Sequence, residues 1–371
     1  MLKVSCPQGE LHEVLQTVSR GVSGRSTQPV QNHIHLSNQD GRLRLVATDL
    51  EYLSLDATLP ADIQSEGAVT VPGRIFNEIV GNLPPEEVVL EGEDTGGLVI
   101  QCGRSRYQVR GLPAADFQMF PEFAPEVEFT LPQALLHEVL TQTIFACATD
   151  ETRPVLTGAL ISLQPERMTM VATDMYRLAL REFECQTGVT EEKKVIVSAR
   201  ILGELVRLLS ESSQDPVAIR LTQRMIYFEV RNVKLASRLI EGEFPNYPKV
   251  VPDKFDKTVM VPVEPLERAL RRALIVARDD NYRVLLHAED NRLQISAHSA
   301  DLGAAEEEVE VKLDGEALEI AFNARFILEL LEVAGTSEIR MEFTGSLNPG
   351  TLRPANESDY LYVLMPMQIM T

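Results

Sequence analysis

Two kinds of hydrophobic spacing alternate along the chain. In "EPLERALRRALIVAR" the apolar positions Leu266, Leu270, Ala273, Leu274 and Ala277 recur at helical spacing, which leaves Arg268, Arg271, Arg272 and Arg278 on other faces. In "RLRLVATDLEYLSLDATL" and "RMTMVATDMYRLALREFE" apolar and polar residues alternate, the period of a strand with one buried face. A Thr-Asp pair interrupts each run. Short polar side chains that hydrogen-bond their own backbone suit a bend, so both runs predict hairpins, with Thr48-Asp49 and Thr173-Asp174 at the turns.

The two hairpin segments are near copies, "VATDLEYLSL" from Val46 and "VATDMYRLAL" from Val171, 125 residues apart. The same step leads to "QISAHSADLGAA" around Ala297, which keeps the alternation without the Thr-Asp. "LHEVL" occurs at 11–15 and 136–140, and "GRIFNEIVGNL", "ARILGELVRLL" and "ARFILELLEVA" place Arg74, Arg200 and Arg325 at matching points. A chain of 371 residues thus holds three related units, each of ordinary domain size. Each reads as strand, helix, strand meander, arginine-bearing helix and further strands, an α+β domain with its helices packed on antiparallel sheet. The Pro- and charge-rich stretches "MFPEFAPEVEF" and "NYPKVVPDKFDK" suggest domains at 1–127, 128–254 and 255–371.

Composition narrows the class. With 44% hydrophobic and 24% charged residues the chain can build several cores. Its first residues, "MLKVSCPQGELHEVL", lack a basic start and apolar core, and no long apolar run follows, so a cytoplasmic protein without membrane spans is expected. Cys6, Cys102, Cys147 and Cys185 are far apart and form no CxxC pair, which argues against both a disulfide framework and a zinc site. The net charge of −20 opposes a nucleic-acid partner in sum, but acidic runs such as "PPEEVVLEGEDT" and "AEEEVEVKLDGEALEI" fall in strand segments, whereas arginines gather on helices. No P-loop, G-x-S-x-G or H-E-x-x-H occurs, and His33 and His35 read as packing residues of one strand rather than metal ligands. Asp49 and Asp174 read as turn formers, since the third repeat lacks them.

Together, "LHEVL", "RGLPAADF", the "ATD" segments, "EGEFPNYPKV" and the terminal "YVLMPM" resemble the bacterial DNA polymerase III beta subunit family of sliding clamps along the whole chain. The family commonly has Gly-His where this chain has Met175-Tyr176, and often a basic residue at Gln368. The resemblance implies three domains of the DNA-clamp fold, two helices inside and sheets outside, in a six-domain ring closed by a head-to-tail homodimer. No catalytic residue, cofactor or metal is expected.

Packing geometry agrees with two copies. Twelve helix axes spaced roughly 9.5 Å apart enclose a hole roughly 25 Å wide, whereas six leave roughly 7 Å, too narrow for a duplex roughly 20 Å across. Such a ring holds double-stranded DNA by topology and reads no bases. Helix faces and the resemblance together give Arg25, Arg74, Arg200, Arg207, Arg268, Arg271, Arg272 and Arg325 as DNA-facing candidates. The resemblance puts the dimer contact at Tyr107 and Val109, on an exposed strand edge, against Ile275 and Val276. It further implies an ATP-driven clamp loader, and a pocket for short linear motifs of the replicative polymerase, the loader and repair proteins. Its walls would be Leu156, Thr173, Tyr176, Arg177, Leu178, Pro245, Val250, Leu347, Val363, Leu364, Met365, Pro366 and Met367, with Tyr282 nearby. Flexible methionines suit a surface that repacks around several ligands, and Pro366 would end the strand ladder and leave the groove's edge open. Two other classes stay open on the residues alone: a protein-binding repeat scaffold, and a metal-dependent nucleic-acid enzyme using Asp49 or Asp174.

Overall fold

The computed structural model describes residues 1–22, 29–49, 53–93, 96–119, 124–356 and 359–368. The first repeat contains β1 (Lys3–Pro7), α1 (Gln8–Val18), β2 (His33–Gln39), β3 (Arg42–Thr48), β4 (Leu53–Pro60), β5 (Asp62–Ser65), β6 (Ala68–Pro72), α2 (Gly73–Gly81), β7 (Glu87–Gly92), β8 (Leu98–Cys102) and β9 (Ser105–Val109). The second contains β10 (Val127–Pro132), α3 (Gln133–Thr143), β11 (Gly158–Gln164), β12 (Arg167–Thr173), β13 (Arg177–Glu184), β14 (Lys193–Ser198), α4 (Ala199–Val206), β15 (Pro216–Leu221), β16 (Met225–Val230) and β17 (Val233–Arg238). The third contains β18 (Lys257–Pro262), α5 (Val263–Ala277), β19 (Arg283–Glu289), β20 (Arg292–Ser299), β21 (Gly303–Glu310), β22 (Lys312–Asp314), β23 (Leu318–Asn323), α6 (Ala324–Val333), β24 (Glu338–Phe343), β25 (Gly350–Pro354) and β26 (Tyr360–Leu364). Two α-helices per repeat on antiparallel strands is the expected α+β pattern.

Each of the six described α-helices follows its strand without a loop, and at four of them the hinge is a proline: Pro7, Pro72, Pro132 and Pro262. Proline has no N–H for the ladder, so the strand ends there, and its fixed φ suits the entry to a helix. The apolar stripes then bury as their spacing requires. On α1 these are Leu11, Val14, Leu15 and Val18; on α5, Leu266, Ala269, Leu270, Ala273 and Ala277, while Leu274 is only half-buried.

The chain divides into two compact units, Met1–Gln133 with Arg207–Leu239, and Ala134–Val206 with Ile240–Thr371. The division follows sheets rather than repeats. In the first unit an eight-stranded sheet runs β10-β15-β16-β17-β4-β3-β2-β6, because β17 of the middle repeat pairs with β4 of the first. In the second a nine-stranded sheet runs β14-β11-β12-β13-β26-β25-β24-β18-β22, because β13 of the middle repeat pairs with β26 of the third. The first unit also holds a five-stranded sheet, β5-β1-β7-β8-β9, and the second a four-stranded one, β21-β20-β19-β23. Strands β9 and β21 are therefore sheet edges.

In the first unit, α1, α2 and both sheets enclose one core in which Leu11, Leu15, Ile34, Phe76 and Ile100 are fully buried. Truncating a side chain such as Phe76 to Ala there removes about 3–5 kcal/mol. Val109 belongs to this core at 7% exposure, opposite the fully buried Leu98. This corrects the expectation of an exposed Val109; its neighbour Tyr107 is the exposed one, at 43%.

Candidate functional site

Both Thr-Asp pairs are architecture. Asp174 Oδ1 accepts the backbone N–H groups of Tyr176 (2.9 Å) and Arg177 (3.0 Å), and the Thr173 hydroxyl donates to the Arg177 carbonyl (2.6 Å). In the other copy Asp49 Oδ1 accepts from Leu53 N (2.8 Å) and the Thr48 hydroxyl donates to the Leu53 carbonyl (3.0 Å). Such carboxylates are committed to turn formation. Among the described residues no group of His, Cys, Asp and Glu could hold a metal ion. Burial pushes the thiols of Cys6 and Cys147 up to about 12 and that of Cys185 to about 11, so they are protonated and poor nucleophiles.

The pocket residues of the sequence reading divide into groups. Leu178 and Val363 lie in one buried apolar cluster with Leu160, Val171, Ile196 and Leu361, flanked by the partly buried Val250 together with Val155, Leu180, Ile240, Phe244, Tyr247 and Val251. A row of cross-strand neighbours explains it: Ile196, Leu160, Val171, Leu180 and Leu361 stand opposite one another across five strands. The segment 240–251 covers part of this row. The terminal strand continues it with Leu178 opposite Val363, while the next pair, Arg177 opposite Leu364, faces the other side of the sheet. Leu156 and Thr173 are buried, Pro245 is half-buried, and Tyr176 is 67% exposed at the rim. Leu347, 79% exposed, and Tyr282 lie outside the cluster; Tyr282 stacks under the guanidinium of Arg325, 4.9 Å from its ring centre.

The tail departs from expectation. Met365 N donates to the Tyr176 carbonyl and Met367 N to the Ala321 carbonyl, so backbone bonds flank Pro366 on both sides and the edge is not left open. Met365, Pro366 and Met367 are half-buried. Two cavities, about 640 Å³ around Gln164–Arg167 and Glu184–Gln186 and about 260 Å³ beside Glu10, Glu13 and Arg231, do not touch this face.

Arg177 was expected as a wall, but it is 8% exposed and serves as a tie. It donates to Asp174 Oδ2 (3.1 Å), to the Phe145 carbonyl (2.8 Å) and to Glu329 on α6, and it lies 4.3 Å from the Phe326 ring centre. Sequence reasoning missed Phe145, Phe326 and Glu329. Their only signal was the recurrence of a glutamate four residues after each helix arginine, Glu78, Glu204 and Glu329.

The arginines differ in their surroundings. Arg74, Arg200 and Arg325 are exposed second residues of α2, α4 and α6, and Arg207 is exposed just beyond α4. On α5 the cations are compensated: Arg268 pairs with Glu264 (2.8 Å), Arg271 with Glu267 (2.8 Å) and Glu332 (2.9 Å), and Arg272 with Glu307. Arg272 in turn holds the Glu307 carboxyl below its ordinary range. Arg25 lies outside the described residues. At the edges, Arg106 on β9 and Glu306 on β21 are exposed, as is Ile275 at 60%, while Val276 is half-buried.

Models of the DNA polymerase III beta subunit match the chain in order: the N-terminal domain at 2–121, the central domain at 130–246 and the C-terminal domain at 248–368. A beta sliding clamp of Synechococcus elongatus is 33% identical over 99% of this chain and 100% of its own length, and one of Staphylococcus aureus is 29% identical over 95% and 96%. The fold is similar to crystal structures of the DNA polymerase sliding clamps of Pseudomonas aeruginosa (31% identity, TM-score 0.93) and Bacillus subtilis (28%, 0.94), each covering 100% of both chains. With every repeat matched and full-length relatives of this identity, the chain belongs to the DNA polymerase III beta subunit family, the beta sliding clamps.

Proposed function

We propose that two copies of this non-catalytic processivity subunit close head to tail around duplex DNA and tether the replicative polymerase and other replication and repair proteins to it. The observation that carries the reading is a pairing rule with two strands left over. At each junction between repeats the third strand of one meander (β4, β13) pairs with the last strand of the next repeat (β17, β26). By the same positions β21 and β9 remain, both of them edges. A second chain offers β9 to β21 and β21 to β9, which pairs both of these edges. The repeats fall at 1–127, 128–254 and 255–371 on this reading.

Charge placement supports the DNA side. A cation in the first turn of a helix opposes the helix dipole by about 0.3–1 kcal/mol, yet Arg74, Arg200 and Arg325 each occupy that position. Their retention there suits a ligand with phosphates, which the helix N-terminus also favours. Arg207 is a further candidate, and Arg268, Arg271 and Arg272 contribute less because glutamates offset them. A closed ring needs a separate ATP-driven loader. The apolar row with Tyr176 at its rim is the docking face for short apolar motifs of those partners, and the protein works in the cytoplasm, where replication occurs. No helix among the described residues is long and apolar enough to cross a membrane.

Loading onto nicked circular duplex with a bacterial clamp loader and ATP, followed by gel filtration, tests this. The protein is expected to co-elute with circles and to be released when the circle is cut once. Equal retention on circular and linear DNA would overturn encirclement and favour a scaffold.

A further inference from the structure

We infer that Glu329 and Phe326 of α6 are positioning residues for the peptide-docking face and act on it through Arg177; the inference rests on the docking reading above. A guanidinium at 8% exposure needs both charge compensation and hydrogen-bond acceptors. Arg177 finds carboxylates on two different repeats, Asp174 in its own turn and Glu329 on α6. Phe145 supplies a carbonyl at 2.8 Å, and the Phe326 ring supports the cation at 4.3 Å.

The other oxygen of Asp174 fixes the amides of Tyr176 and Arg177, and the Tyr176 carbonyl takes the N–H of Met365. A continuous series of contacts thus runs from α6 through Arg177 and Asp174 to the rim residue Tyr176 and the terminal segment. None of the α6 groups is a wall of the face. Without Glu329 the guanidinium keeps Asp174 and the Phe145 carbonyl but loses its charged hold on α6, and only the Phe326 ring then ties it to that helix.

Among the described residues the arrangement occurs once. Glu78 and Glu204 match Glu329, but the strand position of Arg177 is held by Leu53 in the first hairpin and Gly303 in the third. The tie is therefore confined to the hairpin that carries the docking rim. The same helix bears Arg325 beside Phe326, so one of the DNA-facing candidates shares the helix that holds Arg177.

The test titrates a fluorescein-labelled Gln-Leu-Asp-Leu-Phe peptide by anisotropy against wild-type protein and the variants Tyr176→Ala, Glu329→Gln, Phe326→Leu and Glu332→Gln. Amide hydrogen exchange at Tyr176 and Arg177 is followed in parallel. Glu329→Gln and Phe326→Leu should each weaken binding about tenfold and speed exchange at those amides, with dimer mass unchanged. Glu332→Gln, which touches only the exposed Arg271 pair, should match wild type. Wild type failing to bind the peptide would overturn the docking reading itself. Wild type binding, Tyr176→Ala failing and Glu329→Gln behaving as wild type in both readouts would overturn the positioning role alone.

Discussion

Met175 adopts φ 79°, the left-handed region in which a β-carbon is strained by about 1–2 kcal/mol, at the place where the family commonly has glycine. Glycine also loses more chain entropy on folding, about 0.5–1 kcal/mol, so Met175→Gly should stabilise the protein by roughly 0.5 kcal/mol. Urea unfolding checks the sign; a clear destabilisation would show that the Met175 side chain, 48% exposed, makes contacts worth more than the strain. His35 gives a pH signature. Burial, with Arg44 adding, pushes its pKa down to about 4, against the opposing effect of Asp56, and its Nδ1 has no hydrogen-bond partner among the described residues. The unfolded imidazole titrates near 6.5, so between about pH 6.5 and pH 4 the unfolded chain holds the extra proton. Stability from this site is full above about pH 6.5 and falls as pH drops through that window, by an amount on the order of 3 kcal/mol at most. His35→Leu should flatten that part of the stability–pH curve, and an unchanged slope would mean other groups produce it. The sequence marks His35 as a packing residue and Met175 as a departure from the family's Gly-His, but neither the strain nor the pKa shift was legible there, because backbone handedness and desolvation arise only in the folded chain.

The elements were legible through their periods, but their register was not. "VATDLEYLSL" and "VATDMYRLAL" align without a gap, yet Thr48 stands opposite Ser54 while Thr173 stands opposite Leu178, so the first turn is one residue longer. A one-residue slip exchanges the two faces of the following strand. As a result the apolar row Ile196, Leu160, Val171, Leu180, Leu361 has as its counterpart Thr70, His35, Val46, Asp56, Lys234. The residues of the proposed docking face come only from the family resemblance, since each of them reads locally as core strand. Asp56 and Lys234 in this counterpart row would have to be desolvated by an apolar peptide, so one peptide per chain is expected. Isothermal titration should give a stoichiometry near one, and a second site of similar affinity would refute the distinction between the rows. The arginine-bearing helices were equally legible, but the part of the α5 compensation that comes from Glu307 and Glu332 was not, because both are distant in sequence from the arginines they meet. Removing Arg74 or Arg325 should therefore reduce the salt dependence of DNA association by about one phosphate contact each, with Arg271→Ala and Arg272→Ala changing it less.

At the scale of the assembled molecule, the repeats also specify the register of closure. At the first junction Lys234 lies opposite Asp56, and at the second Leu361 lies opposite Leu180. Lys234 follows by one residue the strand start Val233, which pairs across a two-residue turn with Val230; on β9 the start is Ser105, paired with Cys102, and the next residue is Arg106. Asp56 and Leu180 stand opposite Val46 and Val171; the residue another 125 along is Ser296, and it stands opposite Glu306. Closure by the same rule sets Arg106 of one chain against Glu306 of the other, a base facing an acid as at the first junction. Tyr107 then falls opposite Ala305 and Ser105 opposite Glu307, whose carboxylate is already held by Arg272. Both Arg106 and Glu306 are exposed and without an ion pair among the described residues, so the closure leaves no charge stranded. Opposite charges directly across a strand pair contribute about 0.2–1 kcal/mol and like charges oppose it, and each substitution acts at both closures of the dimer. Arg106→Glu and Glu306→Arg should each shift light-scattering mass from about two chains toward the single-chain 41.3 kDa, and the double variant should restore the dimer. Val109→Asp is the contrasting case, since it strikes a buried core position and should lower thermal stability as well as dimerisation. If both single reversals stay dimeric and the double variant is no different, the chains close in another register or along other edges.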